Sequence, residues 1–134
     1  MGHKLGTAVL VVAVLFCLLT TVSSGADPEN FARRLGLTIS DAGGINEIRA
    51  QYAGFFLAIA IVCGLSLGAV LPRQLSFVVL SSIFGGLLFG RLASWALNGG
   101  FTGYSGTIRS LYVIDALGLV LALTALAFDN PRAH

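Results

Sequence analysis

Long apolar runs separated by short polar segments dominate the chain. Four runs, at residues 5–23, 49–71, 75–97 and 108–128, reach the length of about 20 residues that a helix needs to cross about 30 Å of hydrocarbon. They lack strand-like alternation of apolar and polar positions, and they are too long for barrel strands. The pattern predicts an all-α integral membrane protein, a four-helix transmembrane bundle that forms one domain over residues 1–134.

The loop between the first two runs, residues 24–48, carries a helix-start signal of its own. Asp27 offers an N-cap, Pro28 suits the first helical position, and Glu29 lies near the positive end of the helix dipole. We therefore predict a short interfacial helix over about residues 28–35, lying amphipathically on the membrane surface.

The two ends of this loop bear on where the second span begins and on whether the first run is cleaved. Asn46-Glu47 is a second cap signal, which predicts that the second span opens there. At the other end, Lys4, an apolar stretch and Ser24-Gly25-Ala26 together resemble a cleavable secretory signal. The apolar stretch exceeds the ~7–15 residues typical of a signal core, which favours a retained helix. Cleavage of the first run is the alternative.

Composition supports the membrane class and removes several others. Of 134 residues, 56% are hydrophobic and only 10% are charged, against about 25% charged in a typical soluble domain. The net charge of +2 is scattered without a basic run, so we expect no nucleic acid partner. His3 and His134 lie near the chain ends and Cys17 and Cys63 lie in apolar runs, so we expect no metal and no cofactor.

Polar side chains collect near one end of the second, third and fourth runs. Arg91 lies seven residues before Asn98, about 10 Å from the helix end, and Asp115 lies at a similar depth in the fourth run. An unpaired charge there costs several kcal/mol, so we predict an Arg91–Asp115 ion pair with Tyr112 as an added donor. The alternative is that Arg91 alone reaches the headgroups. The predicted intramembrane polar cluster comprises Arg91, Asp115, Glu47, Arg49, Tyr52, Tyr112 and Asn98.

Small residues recur at intervals of four in the last three runs, a spacing that lets helix backbones approach closely. In the third run, Ser82 and Gly86 lie nearly opposite Arg91 on a helix of 100° per residue. We expect these series to pack the bundle, with contact to another chain or to lipid as the alternative for one face. The predicted packing residues are Gly54, Gly64, Gly68, Ser82, Gly86, Gly90 and Gly118.

Three segments resemble domain-of-unknown-function family 4345, which comprises small bacterial membrane proteins with four predicted helices. They are NEIRAQYAG (Asn46–Gly54), GRLASWALNG (Gly90–Gly99) and the loop DPENFARRLGL (Asp27–Leu37). The resemblance covers roughly residues 5–128 and implies four retained helices.

The resemblance also implies that Arg49 and Arg91 are family positions. The family often has aspartate where this chain has Asn98, so asparagine here removes a possible carboxylate partner of Arg91 and gives Asp115 more weight. The family name carries no activity and therefore implies no catalytic residues.

We predict a non-catalytic accessory or structural subunit, or an assembly factor, of a larger membrane complex. Its expected partners are membrane lipids and other membrane protein subunits, or a second copy of itself. The alternative is a membrane-embedded binding protein or enzyme for a lipid-like or anionic small molecule at Arg49, Arg91 and Asp115. Only Glu47 and Asp115 could serve acid–base chemistry there, which argues against an enzyme. Residues 5–23 lack the acid on which small multidrug exporters rely.

The expected location is the bacterial inner (cytoplasmic) membrane. Lysine and arginine are nearly level on the two sides, so the positive-inside rule does not decide the orientation. The export-like start favours cytoplasmic termini, with the 24–48 loop periplasmic.

Overall fold

The computed structural model describes residues 2–129, and within this range every regular element is a helix. The helices are α1 (Gly2–Ala26), α2 (Pro28–Arg34), α3 (Ala42–Leu67), α4 (Arg73–Leu97) and α5 (Gly106–Phe128). All but α2 are long and apolar enough to cross a membrane, so the all-helical class and four helices of spanning length are as predicted. His134 lies outside the described residues.

The described residues fall into two compact units, where the sequence predicts one domain. The central unit holds residues 10–71, and the terminal unit holds residues 2–9 together with 72–129. The first turns of α1 thus belong with α4 and α5, and the rest of α1 belongs with α2 and α3. Each unit is described by itself below.

In the central unit, α2 forms where the sequence predicts it. The Asp27 carboxylate accepts a hydrogen bond from the Asn30 N–H at 3.1 Å, and Pro28 takes the first helical position. Pro28 and Ala32, one turn apart, are both buried. The Phe31 ring packs against Tyr52 of α3 with centroids 4.9 Å apart. The face that carries Pro28 and Ala32 therefore holds α2 in the unit.

The helix α3 begins seven residues before the predicted second span. Its N-cap is Asp41, whose carboxylate accepts from the Gly44 N–H at 2.9 Å, and the predicted opening at Asn46-Glu47 is wrong. The first turn is rich in glycine, which disfavours helix by about 1 kcal/mol per residue, so its sequence resembles a loop. The aspartate cap offsets part of that cost.

The same helix ends at Leu67, before the predicted residue 71. Ala69 takes a left-handed conformation with φ 58°, and the Val70 N–H returns to the Leu65 carbonyl at 2.9 Å. A left-handed residue is the usual way to stop a helix, and glycine normally occupies it. Here an alanine does so, and the neighbouring Gly68 remains right-handed with φ −78°.

A π-helical segment, Arg49–Gly54, interrupts the α-helical hydrogen bonding of α3. In this segment N–H groups bond to the carbonyl five residues back, as from Phe55 to Ala50. The Thr21 hydroxyl of α1 donates to the Ala53 carbonyl at 3.2 Å. A side-chain donor at that carbonyl is one recognised cause of such a departure.

In the terminal unit, α4 and α5 pack as antiparallel neighbours. Gly118 of α5 allows the closest approach, because a Cβ built there would lie 2.7 Å from the Phe84 ring of α4. Phe77 and Leu80 of α4 are buried, as are Ala122 and Ala125 of α5. These apolar contacts lie in the first half of α4 and the second half of α5.

Many large apolar side chains point outward. Leu15 and Leu19 of α1 are 62% and 69% exposed, and Phe89 of α4 is 75% exposed. Such continuous apolar exposure is unfavourable in water and is the distribution expected of helices that lipid surrounds.

Candidate functional site

The centre of the predicted polar cluster is an ion pair between the two antiparallel helices of the terminal unit. Arg91 Nε lies 2.5 Å from Asp115 Oδ2, so the predicted pairing is present. The Asp115 side chain is 4% exposed and the Arg91 side chain 22% exposed. The arginine therefore stays with its carboxylate rather than extending alone toward the headgroups. A charge at this depth is tolerated because it is paired and hydrogen-bonded.

Tyr112 supports the pair from one turn before Asp115 and is a hydrogen-bond donor, as predicted. Its hydroxyl donates to the Arg91 backbone carbonyl at 2.7 Å, rather than to the carboxylate. The bond fixes the backbone from which the arginine side chain extends. Tyr112 therefore positions the backbone of Arg91, and the charged contact itself involves only Arg91 and Asp115.

A second polar network lies toward the end of α4. The Ser94 and Tyr104 hydroxyls are 2.9 Å apart, and Asn98 Nδ2 donates to both, at 3.2 Å and 3.1 Å. The hydrogen bonds with Ser94 and then Asn98 lower the pKa of Tyr104, since they stabilise its phenolate. Asn98 thus ties the glycine-rich loop to α4 and does not contact the Arg91 guanidinium.

Aromatic rings cover this network. Phe101 lies at the centre, with ring centroids 6.1 Å from Trp95, 5.9 Å from Tyr104 and 5.2 Å from Tyr112. These rings pack on one another, and Trp95 and Phe101 each remain about two-fifths exposed. The arrangement suits an amphipathic belt between hydrocarbon and headgroups.

The remaining predicted members of the polar cluster belong to the central unit. Arg49 Nε donates to the Gly25 carbonyl at 3.3 Å and so binds the last turn of α1. The Tyr52 ring packs between Phe31 and Phe56, and Glu47 is exposed on the first part of α3. The structure therefore brings Arg91, Asp115 and Tyr112 together, while Arg49 and Tyr52 make contacts within the central unit and Glu47 is exposed there.

Sequence reasoning missed a second ion pair, at the opposite ends of α4 and α5. Arg73 Nε lies 3.0 Å from Asp129 Oδ2, with side-chain exposures of 17% and 9%. The first turns of α1 complete the site: Arg73 Nη2 donates to the His3 carbonyl and to the Thr7 hydroxyl, both at 3.1 Å. Gln74 Nε2 donates to the Asp129 carbonyl at 2.9 Å.

Gly6 makes this second pair possible. A Cβ at Gly6 would lie 2.7 Å from Asp129 Oδ2 and 2.8 Å from Arg73 Nη2, closer than real contacts. The available signal in the sequence was positional, since a charge at the start of one helix meets a charge at the end of its antiparallel neighbour. His3 joins at the rim, with its side chain 82% exposed and Nδ1 at 2.6 Å from Arg73 Nη1.

The small residues behave differently from the prediction. Gly118 alone among the seven meets a neighbouring helix closely, through Phe84 in the terminal unit. In the same unit, a Cβ at Gly86 or Gly90 meets no atom within 4 Å, and Ser82 is exposed. The stripe formed by Ser82, Gly86 and Gly90 therefore packs against no other segment of the terminal unit, and its part in helix packing stays a prediction. In the central unit, Gly64 meets nothing within 4 Å, and Gly54 and Gly68 approach only the backbone of α3.

A protein-family model described as Domain of unknown function (DUF4345) matches residues 6–108. The chain belongs to this family. The DUF4345 match includes Arg73 and Arg91 and stops before Asp115 and Asp129, so it covers one partner of each ion pair. No curated protein and no solved structure matches the chain.

The chemistry that these residues offer to a ligand is narrow. Over residues 2–129, no group of three or more histidine, cysteine, aspartate or glutamate side chains is placed to hold a metal ion. Asp115, the acid deepest in the terminal unit, is engaged by Arg91 Nε. The pair therefore holds α4 and α5 together.

Proposed function

We propose that this DUF4345 protein is a non-catalytic accessory or structural subunit, or an assembly factor, of a larger membrane complex. The observation that carries the proposal is the exposed stripe of Ser82, Gly86 and Gly90 on α4, where a Cβ built at either glycine would meet no atom within 4 Å. Close helix packing in membranes uses such stripes, because small residues let two backbones approach.

Helix energetics support this use of the stripe. A glycine in a helix interior lowers helix stability by about 1 kcal/mol relative to alanine. Contact with lipid chains does not offset this loss, because lipid does not need a small residue at that position. A neighbouring helix seated on Gly86 and Gly90 gains dispersion contacts that offset the cost. The internal packing of the terminal unit is meanwhile supplied by the other face of α4, through Phe77, Leu80 and Phe84.

A second candidate is a binding protein or enzyme for a lipid-like or anionic small molecule at Arg91 and Asp115. The exposed aromatic rings beside the pair favour it, since they could receive an apolar ring or chain. An anionic ligand would have to displace the Asp115 carboxylate from Arg91. We rank this candidate second for that reason.

The proposed location is the bacterial inner membrane, with both termini cytoplasmic and the 24–48 loop periplasmic. Alkaline phosphatase fused at the loop and, separately, after the terminal residue tests the orientation. The proposal expects enzyme activity from the loop fusion alone, and the reverse pattern contradicts it.

Affinity purification from native membranes tests the subunit role. The tagged chain is extracted in mild detergent and its complexes are separated by native gel electrophoresis and identified by mass spectrometry. We expect a defined complex that the Gly86→Leu variant fails to form, because the leucine fills the stripe. Ala127→Leu, on an exposed position of α5, is the matched control and should keep the complex.

Two outcomes contradict the proposal. One is that the chain leaves the membrane without a reproducible partner or second copy. The other is that Gly86→Leu and Ala127→Leu retain the same complex in equal amounts. Circular dichroism of each purified variant verifies that the helical content is unchanged.

A further inference from the structure

A cleft of about 260 Å³ opens beside α2 in the central unit and shares no residue with the ion pairs already described. Its walls are the exposed side of α2 and the segment that follows it, with lining residues Glu29, Arg33, Leu37, Thr38 and Ile39. A cation, an anion and apolar side chains thus meet in one small depression.

The chain builds this cleft through a left-handed turn. Gly36 adopts φ 78°, which favours glycine, and its N–H donates to the Arg33 carbonyl at 3.0 Å. The Leu37 N–H then returns to the Ala32 carbonyl at 2.9 Å, so the chain reverses at the end of α2. Leu37 and Ile39 are thereby brought back along the helix that carries Glu29 and Arg33.

The far wall is fixed by contact with α3. Ile39 lies so close to Gly44 that a Cβ built on the glycine would approach Ile39 Cγ2 to 2.9 Å. The Asp41 cap in turn anchors Gly44 through its N–H. The segment from Leu37 to Ile39 is therefore held at both ends rather than hanging free.

The two charges face the cleft without neutralising each other. Glu29 and Arg33 lie one turn apart on α2, about 6 Å along its axis, on an exposed face about 100° around the helix from buried Pro28 and Ala32. Among the ion pairs of the described residues, none joins them. Arg33 Nη2 donates to Asn30 Oδ1 at 3.0 Å, which leaves further guanidinium donors for a ligand.

We propose that this cleft binds the headgroup of a zwitterionic phospholipid that carries a primary amine. Arg33 takes the phosphate through its forked donors, Glu29 accepts hydrogen bonds from the ammonium, and Leu37 and Ile39 contact the start of the acyl region. The volume lies below the ~300–1,000 Å³ of sites for larger ligands and suits a headgroup.

The place of the cleft in the chain points to a lipid rather than a soluble molecule. α2 begins two residues after α1 ends, and α1 is long and apolar enough to cross a membrane. A short helix at that position lies at headgroup depth. Leu37, which is 48% exposed, gives the cleft an apolar edge that a soluble amine phosphate would not contact.

Lipid titration followed by native mass spectrometry tests the assignment on the full chain in mild detergent. The probes are dioleoyl phosphatidylethanolamine, dioleoyl phosphatidylcholine and soluble phosphoethanolamine. We expect the ethanolamine lipid to bind about tenfold more tightly than the choline lipid, the equivalent of one charge-assisted hydrogen bond, since a trimethylated amine cannot donate to Glu29. Soluble phosphoethanolamine should bind more weakly than the lipid.

Variants of neighbouring arginines provide the control. Arg33→Gln should lose about tenfold in affinity for the ethanolamine lipid through loss of a charge-assisted contact, while Arg34→Gln, exposed but outside the cleft, should change it less than twofold. Glu29→Gln should remove the preference for ethanolamine over choline.

Three results would overturn the proposal. They are equal losses in Arg33→Gln and Arg34→Gln, equal binding of the two lipids by the unaltered chain, and soluble phosphoethanolamine binding as tightly as the lipid. Circular dichroism checks that both arginine variants fold, which is expected because the substituted side chains are exposed. The test does not depend on any protein partner.

Discussion

The two ion pairs of the terminal unit join the same helices through the same kinds of atom, but they differ in their distance from the helix ends and in the segments that complete them. Arg91–Asp115 lies about two turns inside α4 and α5, and two side chains with one supporting tyrosine complete it. Arg73–Asp129 lies at the ends of α4 and α5, and it needs the first turns of α1 to satisfy its donors. Two helices are thus enough to pair the charges of Arg91 and Asp115. The pair at the helix ends also contacts a third segment, the first turns of α1.

The difference also concerns what each pair controls. Loss of the first pair leaves a charge inside the apolar contact between α4 and α5, so its effect should be energetic and large. Loss of the second pair releases the start of α1 at the ends of α4 and α5, so its effect should be smaller and local.

The largest effect is expected from loss of the Arg91–Asp115 pair. Asp115→Ala should destabilise the protein by about 3–5 kcal/mol, because Arg91 is left unpaired in an apolar setting. Equilibrium unfolding in mixed micelles, followed by circular dichroism, measures the change. The exchanged pair, Arg91→Asp with Asp115→Arg, should recover stability that either single change loses. An exchanged variant no better than the worse single variant would argue against direct pairing.

An intermediate effect is expected where α1 meets the second pair. Gly6→Ala should destabilise by about 1–3 kcal/mol, since the added Cβ would press on Asp129 and Arg73. Gly86→Ala is the matched control in α4, where the methyl meets no atom of its unit within 4 Å. It should be neutral or stabilising by about 0.5–1 kcal/mol. Similar values for the two variants in the same unfolding experiment would mean that α1 does not pack closely there.

The smallest effect is expected at the rim of the second pair. His3→Ala should lower the Tm by less than about 2 °C, because exposed polar contacts contribute little. The His3 backbone carbonyl, which Arg73 also uses, stays in place. A thermal scan in detergent provides the measurement. A shift as large as that of Gly6→Ala would show that the imidazole, rather than the backbone and Thr7, holds Arg73.

The fold class and the Arg91–Asp115 pair could be predicted because the alternatives are energetically unfavourable. Apolar runs of spanning length exclude other classes, and equal depth of Arg91 and Asp115 makes pairing the economical solution. Asp27 and Pro28 likewise set the start of α2, since their roles are local to the chain. Each of these inferences depends on the sequence of one or two helices and does not require knowledge of how the other helices pack.

The failures share a dependence on tertiary contact. Arg73 and Asp129 look like ordinary charges at helix ends until α1 is placed between them and water. The neighbour of the stripe at Ser82, Gly86 and Gly90 could not be predicted either, because residue spacing indicates which positions permit close approach and does not identify the helix that packs there. The cap at Asp41 was missed because two glycines follow it, and glycine signals a turn more often than a helix.

The π-helical segment in α3 changes which residues share a face of the helix. A turn that closes on the fifth residue takes in one residue more than an α-turn, so the faces before and after Arg49–Gly54 are out of phase. Ala50, Gly54 and Ala58, which follow one another at intervals of four, therefore do not form one continuous ridge. Removing a single residue from this segment would restore phase and rotate Phe55–Leu67 by about 100° relative to the first turns of α3.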